Sequence, residues 1–245
     1  MRSSNPLLKE GTFARPAGAL GEAMTVHGTV NRTLILLLLV VAGAATIWGR
    51  AIADPTSGAV GGGMVIGGLG GFVIAIVTIY KRSWAPFTAP IYALLEGVFL
   101  GALSAVAEAA YPGIAIQAVA LTFAVCLAIL GLYRAGVLRA TPVFQRVVIG
   151  ATGAIALFYV VSFLIGLFGV RMPLLHSSGP VGIIFSLVIV CVAALNLVID
   201  FDLIENGARE GAPKHMEWYC AFSLIVTLVW LYLEMLRLLS KLQRR

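Results

Sequence analysis

The residues of this chain that could do chemistry are acids placed where apolar side chains belong. Asp200, Asp202 and Glu205 close one long apolar stretch, Glu234 lies inside the next, and Glu96 sits within an earlier one. A charge at the centre of a bilayer helix costs roughly 2.5–3.5 kcal/mol on insertion scales, so such acids persist only with partners, protons or water. Two carboxylates close together in low dielectric cannot comfortably both ionise. One then keeps its proton, and the force between them turns from repulsion to a hydrogen bond. A helix pair joined this way would be held or released by pH. Asp200 and Asn196 are four residues apart and share a helix face. Glu234 shares a face with Thr227 and Trp230, and Arg237 follows three residues later.

A plainer reading makes the same residues structural. Glu234 would pair with Arg237 at the membrane edge, and Asp200, Asp202 and Glu205 would lie among headgroups. Glu96 resists that account, because it stands ten residues from Pro86 and eleven from Ala107, near mid-span. It is expected to face other helices, lining an ion path or accepting a neighbour's bonds. Lys81 and Arg82 end an apolar stretch on the side of Asp200. With Arg237 they are candidate latch cations, and snorkelling to headgroups is the alternative.

The elements that carry these residues follow from composition. Of 245 residues 60% are hydrophobic and 11% charged, against about 25% charged in an ordinary soluble domain. Residues 55–80, 109–133, 147–170 and 172–199 hold no charge. Each run can cross a hydrocarbon core of roughly 30 Å at about 1.5 Å per residue. The expectation is an all-α integral membrane protein with seven transmembrane helices, near 33–49, 58–80, 87–107, 114–133, 147–170, 179–201 and 218–239. Residues 1–32 would form an N-terminal cytosolic tail, with 5–8 and 24–30 the parts suited to fold on the membrane surface, ahead of a transmembrane domain at 33–242. No signal peptide is read there. Trp84, Pro86 and Pro90 are expected to turn the chain, and 206–215 to form the last loop. Gly63, Gly67 and Gly71 line one face of the second span and should let another helix approach closely. Lys and Arg weigh eleven to six toward the side of the N-terminus, which favours a cytosolic start.

The net charge of +6 does not point to nucleic acid, since the cations sit between apolar segments without a basic, aromatic-interleaved patch. Anionic headgroups of the lipid bilayer are the better counter-charge. Cys126, Cys191 and Cys220 have no CxxC spacing and imply neither a disulfide nor zinc. His27, His176 and His215 are scattered and read as surface residues. No HExxH and no GxSxG occurs, so the chain is not expected to be an enzyme or to need a cofactor. A GxGD aspartyl-protease setting is absent too, and Lys241 lies too near the end for a retinal Schiff base.

DFDLIENG at the end of one apolar segment, LYLEMLRLL near the C-terminus and LLEG at 94–97 together resemble the Bax inhibitor-1 family, in its bacterial YccA-like branch. The resemblance covers about 33–242. It implies a Bax inhibitor-1-like bundle of seven helices in a bacterial inner membrane, and a passive, pH-sensitive calcium leak with calcium as permeant ion. It also implies that Asp200 and Glu234 are the proton-sensing pair. The alternative is a membrane interaction protein that modulates a membrane protease or a stress response. Two departures stand out: Glu234 occupies a position where the family usually has Asp, and 34 residues separate it from Asp200. With the turn centred near Glu210, Asp200 falls level with Cys220 and Glu234 with Ser186, roughly 20 Å apart along the axis.

Overall fold

The computed structural model describes residues 22–54, 58–168 and 179–244. Seven helices fill them: α1 (Val26–Ala53), α2 (Gly58–Tyr80), α3 (Ala85–Ala110), α4 (Ile114–Arg134), α5 (Pro142–Leu167), α6 (Pro180–Arg209) and α7 (Met216–Gln243). All seven are long and apolar enough to cross a membrane. Among the described residues there is no strand, only an isolated bridge between Ala23 and Pro213. The all-α, seven-span expectation holds. Residues 5–8 of the tail and the loop with Arg171, Pro173 and His176 lie outside the described residues.

Three boundaries differ from the sequence expectation, each for a local reason. First, α1 begins at Val26 rather than near residue 33. Thr25 caps it, its Oγ1 accepting from the Gly28 N–H at 2.9 Å, and so 24–30 is mostly helix rather than surface tail. Second, Pro86 and Pro90 do not turn the chain. A single 3-10 turn at Arg82–Trp84 does that, and both prolines lie inside α3. Pro86 sits in the first turn, where a missing N–H costs nothing. Pro90 gives up one further bond near the start of the helix. Third, α6 runs on through Arg209, which shortens the last loop to 210–215. An ion pair between Glu205 and Arg209 one turn apart, 3.0 Å long, supports that extension. The helix then stops in a glycine-closed cap: Gly211 has φ +66°, its N–H bonds the Ala208 carbonyl, and the Ala212 N–H reaches back to Gly207.

The chain forms two units. The first contains α1, α2, α3, the end of α6 from Asp202, and α7 as far as Val226. The second contains α4, α5, α6 up to Phe201, and α7 from Thr227.

In the first unit α3 is the central helix, and the reason is written every fourth residue. Ala85, Ala89, Ala93, Gly97, Gly101 and Ala105 form a ladder of small side chains, and all six are buried. Small residues at this spacing let helix backbones touch in lipid, where the hydrophobic effect does not drive helices together. A β-carbon on Gly97 would run into the Val40 carbonyl of α1, and one on Gly101 would meet Ala44 at 2.6 Å. On the α2 side, Gly63, Gly67 and Gly71 are all buried, as their spacing leads one to expect. A β-carbon on Gly67 would lie 2.7 Å from both the Leu95 carbonyl and the Phe99 N–H of α3. Thr78 then ties α2 to α3 by a 2.8 Å hydrogen bond to Thr88.

In the second unit polar ties hold the helices. Asn196 on α6 donates to Thr152 on α5 at 2.8 Å and to its own helix at Val192. Phe158 and Phe185 stack edge to face between α5 and α6. Lys241 of α7 is buried and donates to Ser186 and to the Gly182 carbonyl of α6, at 2.8 and 3.0 Å. Arg244 reaches the Tyr111 hydroxyl at 3.2 Å.

The glycine contacts make a graded prediction. Gly67→Leu has only backbone to displace, so it should abolish accumulation in membranes or lower the detergent melting temperature by several degrees. Gly62→Leu, with nothing within 4 Å of a new β-carbon, should be tolerated. Equal thermal stability of the two variants in detergent would contradict the close α2–α3 approach.

Candidate functional site

Five charged side chains are buried among the described residues: Glu96, Asp200, Glu217, Glu234 and Lys241. Two carry the most geometry, Glu234 in the second unit and Glu217 in the first.

Glu234 is 1% exposed. Arg237, three residues on along α7, places Nη1 at 2.9 Å from both carboxylate oxygens. Tyr159 of α5 donates its hydroxyl at 2.7 Å, and Arg237 also donates to that hydroxyl while lying over the ring, 5.0 Å from its centre. The carboxylate thus has a cation and a neutral donor on it, with the cation drawn from its own helix. Arg237 keeps 37% of its side chain exposed, so this compensated charge has one side open to the surroundings.

Asp200 is 5% exposed and lies within electrostatic reach of the Cys126 thiol on α4. Glu234 accepts hydrogen bonds from Tyr159 and Arg237. The register explains the distance to Asp200. Ser186 faces Lys241, so it does not lie level with Glu234, as a turn at Glu210 would require. Setting Lys241 against 182–186 in antiparallel helices leaves Asp200 and Glu234 roughly 10–16 Å apart along the axis. The shift follows from the longer α6.

The other sequence candidates separate. Asn196 is a cross-helix tie to Thr152. Glu205 is half-exposed and paired with Arg209, while Asp202 is partly buried in the first unit. Lys81 rests over the Trp84 ring and Arg82 over Tyr219, at 4.5 and 5.3 Å. Glu96 is buried on α3 with its carboxylate directed at α2: a β-carbon on Gly71 would lie 2.8 Å from its Oε2. The glycine at 71 therefore makes room for a carboxylate, whereas the one at 67 makes room for backbone. The three cysteines are free. No group of three or more His, Cys, Asp or Glu suited to a metal occurs among the described residues.

Glu217 is the residue that sequence reasoning passed over. It stands in the first turn of α7, where a negative charge suits the positive end of the helix dipole. It is fully buried. Its Oε1 accepts from the N–H and the hydroxyl of Thr25, at 3.0 and 3.2 Å, and pairs with Lys214 at 3.3 Å. Arg32 stands 4.0 Å from Oε2. Gly28 supplies the space, since any β-carbon there would overlap the Glu217 carboxylate. One side chain thereby fastens the start of α1 to the start of α7, 192 positions apart, next to the backbone bond from Met24 to Ala212. The signal was an acid in a helix's first turn beside Trp218, but at a span end such an acid reads as a headgroup residue.

Two groups of this loop titrate away from their ordinary values. Hydrogen bonds to Glu217 and then Glu22 hold the Lys214 ammonium above its usual 10.5. Burial pushes the His215 imidazole below its usual 6.5.

Helix composition and buried, compensated charge define a seven-helix membrane protein whose acids are built into its packing. The chain belongs to the Bax inhibitor 1 like family, whose model matches residues 5–244. No curated protein and no solved structure matches it.

The His215 shift has a definite sign. The fold favours the neutral ring, so its contribution to stability is complete above the unfolded value near 6.5 and is lost as the pH falls through the lower folded value. Detergent melting temperatures at pH 7.5 and 5.5 (roughly one unit either side of the free imidazole) should show wild type losing more stability on acidification than His215→Gln. An equal loss in both would remove His215 from the account.

Proposed function

We propose that the protein is a passive, pH-sensitive calcium leak of a bacterial inner membrane, in the YccA-like branch of its family, with its N-terminus cytosolic. Passive conduction asks for a gate and a path, and neither needs a catalytic group or a cofactor. Calcium would be the permeant ion. Asp200 and Glu234 are the proposed gate residues, with Glu96 along the path.

The observation that carries this reading is the state of Glu234. Its charge is buried in an apolar helix and balanced by Arg237, a cation more than a third exposed. Protonating the carboxylate removes the attraction that holds Arg237 on it, and the cation can then leave toward water. Acid would thus loosen a tie between α5 and α7 at Tyr159, with Asp200 acting from its own level on α6.

A second reading keeps its place, because Glu217 and Glu234 both have structural partners. It makes the chain an interaction protein that modulates a membrane protease or a stress response, its acids serving only packing.

Calcium flux into dye-loaded liposomes, measured against pH, separates the two. Under the leak reading, Asp200→Asn and Glu234→Gln each move or abolish the pH midpoint, and the double variant shows less than the sum of the two shifts. Unaltered profiles in both single variants would end the leak reading and favour the second.

A further inference from the structure

Three cations at one end of the first unit lie over aromatic rings. Lys81 lies over Trp84, Arg82 over Tyr219, and Arg32 over Trp218, the last at 5.0 Å from the ring centre. They share that end because Lys81 and Arg82 are consecutive at the α2–α3 turn, while Trp218 and Tyr219 are consecutive in the first turn of α7. The turn also fixes their depth. Tyr80, Trp84 and Phe87 are 84%, 50% and 76% exposed, and exposed aromatics clustered at a helix end mark the headgroup level of a bilayer.

An aromatic face attracts a cation yet does not consume its N–H donors as a carboxylate does. The acids nearby are engaged elsewhere. Glu217 is bound to Thr25 and Lys214, and its 4.0 Å separation from Arg32 is beyond hydrogen-bond range. Glu205 holds Arg209. Among the described residues neither the Lys81 nor the Arg32 side chain donates a hydrogen bond; Arg32 Nε is buried toward Glu217, while 32% of that side chain stays exposed and leaves the outer guanidinium open. Two cations at headgroup depth therefore keep strong donors to spend. Phosphate oxygens are the acceptors found at that depth, and they match ammonium and guanidinium donors well.

We propose that Arg32 and Lys81 form a binding rim for anionic phospholipid, donating to headgroup phosphates while Trp218 and Trp84 set their depth. The rim is independent of any ion flux. It predicts a preference for phosphatidylglycerol over phosphatidylcholine at this end of the protein.

The test uses the full chain in vesicles of dibrominated phosphatidylcholine or dibrominated phosphatidylglycerol, with tryptophan quenching as the readout. Each engaged cation should favour the anionic lipid by roughly fivefold. Lys81 is exposed, so Lys81→Gln leaves the fold intact and should by itself remove about one such factor. Adding Arg32→Gln should bring the two lipids to near equality, and Arg32→Lys should keep part of the preference. Arg139→Gln, at an exposed cation between α4 and α5, should change nothing. The proposal is overturned by equal affinities in wild type, by a preference undiminished in Lys81→Gln, or by an equal loss in Arg139→Gln. It is also overturned if added inorganic phosphate abolishes the preference at constant ionic strength, which would assign the site to a free anion.

Discussion

A charge inside an apolar helix has to bring its own solvation, and that requirement shapes α7 more than any other element. Three of the five buried charged side chains, Glu217, Glu234 and Lys241, lie on it. Each solves the problem differently. Glu217 uses the donors left open at the start of another helix, Glu234 uses a cation of its own helix and a tyrosine, and Lys241 uses a hydroxyl and a backbone carbonyl. Leaving one such charge unpaired costs several kcal/mol, while replacing a whole pair by apolar groups can cost nothing. These ties consequently read as specifiers of register: each fixes which turn of α7 meets which neighbour.

Close packing is the second constraint, and it works with the first. Lipid tails are as apolar as leucine, so helices gain little by hiding from them and must instead fit one another closely. The α3 ladder does this toward α1, and the α2 glycines do it toward α3. The two demands meet at Gly71 and Glu96. There the missing side chain of one helix is filled by the carboxylate of the other.

The architecture was legible because its signal is coarse: long apolar runs need only be counted, four of them without a charge, and seven spans emerge as seven helices. The glycine stripe at 63, 67 and 71 was equally plain, because a bare face has one physical use in lipid. The equivalent ladder on α3 was hidden by its alanines, which look ordinary one at a time. Prolines misled at 86 and 90, because both fall near the start of α3, where a helix loses little by a missing N–H. The polar run at 206–215 misled as well, since Glu205, Arg209 and Gly211 together carry α6 onward and cap it. That extension changes the register of α6 against α7, and Asp200, Glu234 and Ser186 inherit the change. Glu217 was invisible for a different reason: its partners, Thr25, Gly28 and Arg32, lie at the far end of the sequence, and no local pattern joins them.

The central claim is that Glu234 is a buried charge balanced by Arg237. A double-mutant cycle in detergent tests it most directly, with thermal unfolding of Arg237→Met, Glu234→Gln and the double variant at neutral pH. If the pair is real, Arg237→Met alone strands an acid in an apolar helix and should be the least stable of the three, with the double variant recovering part of the loss. Strictly additive losses, or a double variant less stable than Arg237→Met, would show that the two side chains do not compensate each other.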